Sequence, residues 1–501
     1  MNMRLLTCAG CVLFLAAPLY GSVSMSALFA DHMVVQRHQP VHIWGDAAAG
    51  ESLTVEFRGE QRTTTADPLG RWMVEFPPGE AGGPFVLTVR GANALTFKDI
   101  LVGDVWIASG QSNMTFELRG ARNAQQEMEG ANLPQMRLLM VKQRFADYPL
   151  ENVAVTQPWS ACTPDSAAAF SAVAFFFARD LVEREHVPIG IIESAWGWTP
   201  AEAWTSMTAL SRDASLMPVF SAWAVTAAAE PDTLRMQPEK RAEIAEKLSM
   251  PNDENLPVPW LPVFKTWAPG ALYNGMIAPL TRFPICGVIW YQGESNADPR
   301  RYPVYARLFQ TLIQDWRSAW SEGNFPFLFV QIANFHTGPD DHWPDVRVAQ
   351  LAALALVNTA MTVTIDIGDP RNIHPADKQD VGHRLALAAR AMTYGEQVEY
   401  SGPIFRSMSR AGDSLRLYFD HADTGLVAGG GTLQGFEVAG PDGKFVPAVA
   451  SVEDTSVLVS SPAVQDPVQV RYGWSDNPVC NLFNKDGLPA SPFRTLSMGR
   501  E

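Results

Sequence analysis

Ser112, His374 and the carboxylates Glu294, Asp366 and Asp369 are the side chains whose types and settings could run acyl-transfer chemistry. A serine hydroxyl attacks a carbonyl once a base takes its proton and donors hold the oxyanion that forms. Ser112 stands in Asp104-Val-Trp-Ile-Ala-Ser-Gly-Gln-Ser-Asn-Met114. The run Val105 to Ala108 predicts a buried strand, Gly110 a tight turn, and Ser112 the start of a helix whose amides point at whatever is bound. His374 is the candidate general base. Pro375 suits the first position of a helix, and the positive end of that helix would keep the imidazole neutral and ready to accept a proton.

A third group should orient the histidine. Some serine esterases place an aspartate three positions before it, but Arg371 stands there. Asp369 and Asp366 are near in sequence, Glu294 lies at another strand end, and a dyad without a carboxylate is a further option. As oxyanion donors, the residues nominate the amide of Ser112, the backbone of Gly197, where a side chain would obstruct the substrate, and the carboxamide of Gln292. His383, one helix later, reads as structural, and His336 and His342 have no metal-like companion set, so neither metal nor cofactor is expected.

The elements that must position these groups are five apolar runs, each ending in polar residues. Besides the Ser112 segment, they end at Trp196-Gly197-Trp198-Thr199, at Gln292-Gly293-Glu294, at Asn334-Phe335-His336, and at Gly368-Asp369 before His374. Helical patterns lie between them, over 170–185, 302–320, 346–357 and 378–392. Alternation of this kind predicts βαβ units and a parallel sheet, with ligands bound beyond the carboxyl ends of its strands. All the polar clusters should therefore meet at one edge.

The 501 residues exceed one typical core, and the chain carries 47% hydrophobic and 18% charged residues. A formal net charge of −15 with no basic cluster argues against a nucleic-acid partner. Residues 1–22 read as a signal peptide, with Arg4 before the apolar stretch Leu5 to Leu19, so a secreted or periplasmic protein free of the membrane after cleavage is expected. Cys162, Cys286 and Cys480 remain beyond that segment and form neither a disulfide framework nor a zinc pattern. Short alternating strands with turn signals suggest a β-sandwich or jelly-roll module over 23–99. The α/β part runs over 100–400, with an insertion at about 205–263 in which 239–247 reads as helical and 257–262 as extended. A second β-rich module spans 401–501.

Taken together, these motifs resemble the sialate O-acetylesterase family of the SGNH-hydrolase group, near the family 6 carbohydrate esterases. The resemblance is carried by Gly110-Gln-Ser-Asn-Met114, Trp196-Gly-Trp-Thr-Pro-Ala-Glu-Ala-Trp204, Tyr273-Asn-Gly-Met-Ile-Ala-Pro-Leu280, Trp290-Tyr-Gln-Gly-Glu-Ser-Asn296 and Ile373-His-Pro375 with Lys378. It extends over almost the whole chain after the leader. It implies an SGNH-type three-layer α/β/α core and hydrolysis of acetyl esters on sugars, with Ser112 as nucleophile, His374 as base, and Ser112, Gly197 and Gln292 around the oxyanion. Trp198 departs from the family by standing where a Gly-Gly-Thr block has its second glycine. Trp196, Trp198 and Trp204 are candidate sugar platforms. The expected substrate is an O-acetylated carbohydrate, first an O-acetylated sialic acid; acetylated xylan is the alternative, and a non-catalytic carbohydrate-binding protein the alternative of another class.

Overall fold

The computed structural model describes residues 22–233, 264–338 and 340–495. The expected leader, the helix over 239–247 and the extended stretch over 257–262 fall outside these residues. A seven-stranded path forms the centre. Its strands are β1 (Ala94–Gly110), β2 (Leu133–Val141), β3 (Val155–Cys162), β4 (Ile189–Ala195), β5 (Gly287–Tyr291), β6 (Phe327–Val330) and β7 (Thr359–Thr362), in the order β3-β2-β4-β1-β5-β6-β7. All neighbours run parallel except the edge pair β3 and β2.

Register explains the convergence read from sequence. Gly110 pairs with Ala195 on one side and Tyr291 on the other, Tyr291 with Val330, and Val330 with Thr362. Five parallel strands thus end level, and the residues that follow each one share a single rim.

The period of two along β1 assigns its side chains to two cores: Val105 and Ile107 enter one buried cluster, Trp106 and Ala108 the other. Helices cover both faces, giving three layers. On one side lie α1 (Ala172–Glu185), started by the Ser171 hydroxyl accepting from the Ala174 amide, and α4 (Lys378–Met392), capped by Asp377. On the other lie α2 (Tyr302–Trp320) and α3 (Trp343–Leu351). In α2 the buried residues Tyr305, Leu308, Phe309, Leu312, Ile313, Trp316 and Trp320 recur at helical spacing and pack on Trp290 and Phe327. Each such side chain, fully buried, contributes roughly 1.5–3 kcal/mol relative to exposure.

Strands over residues 24–90 precede this core, and β1 belongs to both parts. Its first half pairs with Gly82–Arg90 and Val34–Gln36, and its second half with β4 and β5. The boundary expected at 99/100 therefore falls inside a continuous 17-residue strand. After α4, two four-stranded antiparallel sheets enclose a separate core with Leu415, Leu417, Val438, Tyr472 and Phe493. Among the described residues no helix is long and apolar enough to cross a membrane.

Candidate active site

Gly110 makes the turn into Ser112 possible. It sits at φ +135°, and a Cβ there would lie 2.1 Å from the Tyr291 carbonyl oxygen, which also accepts from the Gln111 amide at 2.9 Å. The chain then forms one turn, with the amides of Met114 and Thr115 both donating to the Gln111 carbonyl, and no helix follows. The helix expected to begin at Ser112 is absent: the next regular piece is a short 3₁₀ turn, Leu118–Gly120. Level strand ends, and not a helix terminus, position this serine.

Gly197 lies directly against it. A Cβ on Gly197 would stand 3.3 Å from the Ser112 Cβ and 3.9 Å from the Ser112 nitrogen, and the neighbouring Trp196 amide is tied to the Gly110 carbonyl at 3.1 Å. Among the described residues neither the Ser112 nor the Gly197 amide has an acceptor. Two unengaged donors beside a serine make the arrangement an oxyanion site needs. Trp198 holds φ at +62°, the left-handed region that favours glycine and costs other residues roughly 1–2 kcal/mol.

Gln292 stands apart from the cavity. It is fully buried, and its carboxamide nitrogen donates to Thr199 O at 3.2 Å and Asn296 Oδ1 at 2.6 Å, which uses both hydrogens. The Tyr305 hydroxyl donates to its Oε1 at 3.0 Å. It is a tie between loops, with no donor left for an oxyanion.

Ser112 and His374 line one cavity of about 660 Å³, together with Trp198, Trp267, Glu294, Phe335, His336 and Arg371. They are not hydrogen-bonded to each other; such bonds commonly tighten only around substrate. The imidazole has no hydrogen-bond partner among the described residues, and its Nε2 is buried. The helix after it starts at Lys378, with Asp377 as cap, so Pro375 is not its first residue. Burial, helped by the nearby Lys378 ammonium, brings the His374 pKa down to about 4. The neutral base expected from a helix dipole is thus kept neutral by a different cause.

Among the described residues no carboxylate is hydrogen-bonded to the His374 imidazole. Asp366 is held bidentately by Arg384, with both oxygens at 2.7 Å from guanidinium nitrogens. Asp369 accepts from the Arg371 amide at 2.8 Å and does not line the cavity. Glu294 does line it, but its Oε1 accepts from Asn113 at 2.7 Å, and burial pushes its pKa up. The geometry is that of a serine and a histidine without an orienting acid.

Of the three tryptophans expected to face the sugar, only Trp198 lines the cavity. Trp204 is fully buried in edge contact with Trp290, with its Nε1 on Thr199 Oγ1 at 2.9 Å, and Trp196 packs against the core. Trp267, Phe335 and Trp343 take part in the wall instead. Their loops are braced from elsewhere in the chain. Arg347, with no exposed surface, donates to the carbonyls of Ile332, Ala333, Ser475 and Asp476, and the Asp476 carboxylate accepts from the Thr337 amide at 2.9 Å. No local signal in sequence joins residues so far apart.

Residues 262–391 match the family described as "Carbohydrate esterase, sialic acid-specific acetylesterase". The chain is 30% identical to the sialate O-acetylesterase of Mus musculus over 97% of each chain. It belongs to the sialate O-acetylesterase family. The Homo sapiens member is likewise 30% identical, over 93% of this chain and 91% of its own. A carbohydrate acetylesterase from Xanthomonas citri, known from its crystal structure, superposes with a TM-score of 0.82 at 40% identity, covering 95% of this chain and 100% of that one. The chain is therefore a carboxylic ester hydrolase with the family's α/β core, and the cavity at the level strand ends is its candidate active site.

Proposed function

We propose that this protein is a serine esterase that removes O-acetyl groups from carbohydrates, acting first on O-acetylated sialic acids, through an acetyl-serine intermediate. The observation that carries this reading is the meeting of Ser112 and His374 at one cavity, with Gly197 packed against Ser112 and the amides of both Ser112 and Gly197 without an acceptor among the described residues. His374 takes the Ser112 proton as the hydroxyl attacks the acetyl carbonyl; the two amides hold the oxyanion. The protonated histidine then returns its proton to the departing sugar hydroxyl, and water, deprotonated in turn by His374, releases acetate. The leader expected at residues 1–22 supports action outside the cytoplasm.

A base that must be neutral loses function as pH falls through its pKa. With His374 brought down to about 4, the acidic limb of kcat/KM is expected near pH 4, well below the ordinary imidazole value of 6.5. A pH profile of acetate release checks this; a limb at 6 or above would contradict a half-buried base held neutral.

Arg371 favours an anionic sugar. It is exposed at the cavity wall, and its guanidinium has no ion-pair or hydrogen-bond partner among the described residues. A sialic acid carboxylate would complete a charge-assisted, bidentate contact there, which neutral xylan cannot. Arg371→Ala is expected to raise KM for 9-O-acetylated sialic acid about tenfold, the equivalent of about 1.4 kcal/mol, and leave acetylated xylan within about twofold. The same two substrates test the wild-type reading. Serine-dependent release mainly from xylan would keep the mechanism and move the substrate, and release from neither would favour a carbohydrate-binding role.

A further inference from the structure

Lys378 is fully buried, yet it forms no direct ion pair among the described residues. Its Nζ donates to Asn113 Oδ1 at 2.6 Å and lies 5.0 Å and 5.4 Å from the ring centroids of Phe116 and Tyr291. Asn113, 2% exposed, directs its amide nitrogen to Glu294 Oε1 at 2.7 Å and to the Ile373 carbonyl at 3.0 Å. An ammonium can only donate and a carboxylate or carbonyl here only accepts, so the amide of Asn113 has a single allowed orientation. Asn113 is the neighbour of Ser112, and Ile373 the neighbour of His374. One side chain therefore spans the nucleophile turn, the loop after β5 and the histidine loop.

We propose that Lys378 and Asn113 form a positioning pair that sets Ser112 and His374 in register. This rests on the serine–histidine reading above. The bland alternative is that Lys378 only balances the buried Glu294. Charged and titratable groups around His374 are Asp369, Arg371, Asp377 and Lys378 on its own segment, Glu294 after β5, and Asp298, His336 and Asp341 across the cavity. Asp377 is paired with Arg122 and Asp298 with Arg301, while Lys378 is the charge that lowers the imidazole pKa beyond the effect of burial. Burial brings Lys378 itself down to about 7, against the pull of Glu294 and Asp377.

The test uses the full chain, 4-nitrophenyl acetate as a small neutral ester, thermal unfolding and pH profiles. Lys378→Met should lower kcat about 10- to 100-fold, with KM within about twofold, and move the acidic limb of kcat/KM to higher pH. Adding Glu294→Gln separates the roles through a double-mutant cycle. A positioning pair predicts that the double variant regains thermal stability while kcat and the limb stay displaced. Recovery of both would overturn the proposal and leave Lys378 as a counter-charge. Should Lys378→Met not fold, Lys378→Gln keeps a donor for Asn113 without charge and should still displace the limb. Wild-type kcat and limb in either lysine variant, beside an inactive Ser112→Ala, would overturn the positioning pair alone. An active Ser112→Ala would overturn both readings.

Discussion

Ser112→Ala is expected to lower kcat for acetate release by roughly three to six orders of magnitude, with folding intact. Folding should survive because the Ser112 side-chain oxygen takes no hydrogen bond among the described residues; its turn is held by backbone bonds to the Gln111 and Tyr291 carbonyls. Substrate binding should survive as well, since Trp198, Trp267 and Arg371 are untouched. What disappears is the atom that would be acylated. His374→Ala should fall into the same range. The double variant should be little worse than either, because a nucleophile and its base act as a unit. Steady-state rates with matched circular dichroism spectra decide it, and turnover within tenfold of wild type in Ser112→Ala would remove the nucleophile assignment.

Arg301→Met is expected to be the most destabilising single change outside the hydrophobic layers, by about 3–5 kcal/mol. Arg301 and Glu202 are each almost completely buried, with Nε and Oε1 2.9 Å apart, and Asp298 meets the same guanidinium at 2.6 Å. Glu202 also accepts from Asn296 at 2.8 Å, and Asn296 in turn holds Gln292 and the Ala201 amide. Removing the arginine leaves a carboxylate stranded in a water-free setting. Burial already pushes the Glu202 pKa up, and Arg301 is the main influence pulling it down. In the variant the folded protein would therefore hold a proton that the unfolded chain releases. Folded-state proton excess means stability falls as pH rises above the unfolded carboxylate value, so the deficit should be larger at pH 8 than at pH 5. Urea unfolding at both values tests this. Adding Glu202→Gln should recover much of the loss; no recovery would mean that the arginine's packing over Trp267, 4.7 Å from its ring centroid, carries the effect.

Much of this was legible before any coordinates because the signals were local. Apolar runs and helical spacing marked the strands and placed α2 and α4 at their observed ends, and parallel pairing required the polar tails to share an edge. Ser112, His374, Gly197, Trp198 and Glu294 do meet near that edge. What failed were inferences about the first residues after a strand or before a helix. Pro375 looks like a helix start but precedes it by three residues, and Ser112 enters a lone turn. Burial defeated others: Gln292 and Trp204 carry polar or aromatic groups suited to a site, yet their partners Asn296, Tyr305 and Trp290 draw them inward. Trp267 stayed hidden because only tertiary contacts bring its loop to the wall.

The strand that ends beside Ser112 begins as part of another sheet. Over its 17 residues β1 is one continuous strand, bent at Asp99, where φ is +55°, and hydrogen-bonded at one end to the N-terminal strands and at the other to the central sheet. An appended module is usually imagined as a cassette that recombination can trade through a loose hinge. Here no such seam exists. Any exchange would have to cut through the strand that leads to Ser112, so the two parts are bound to be inherited, and engineered, as one piece.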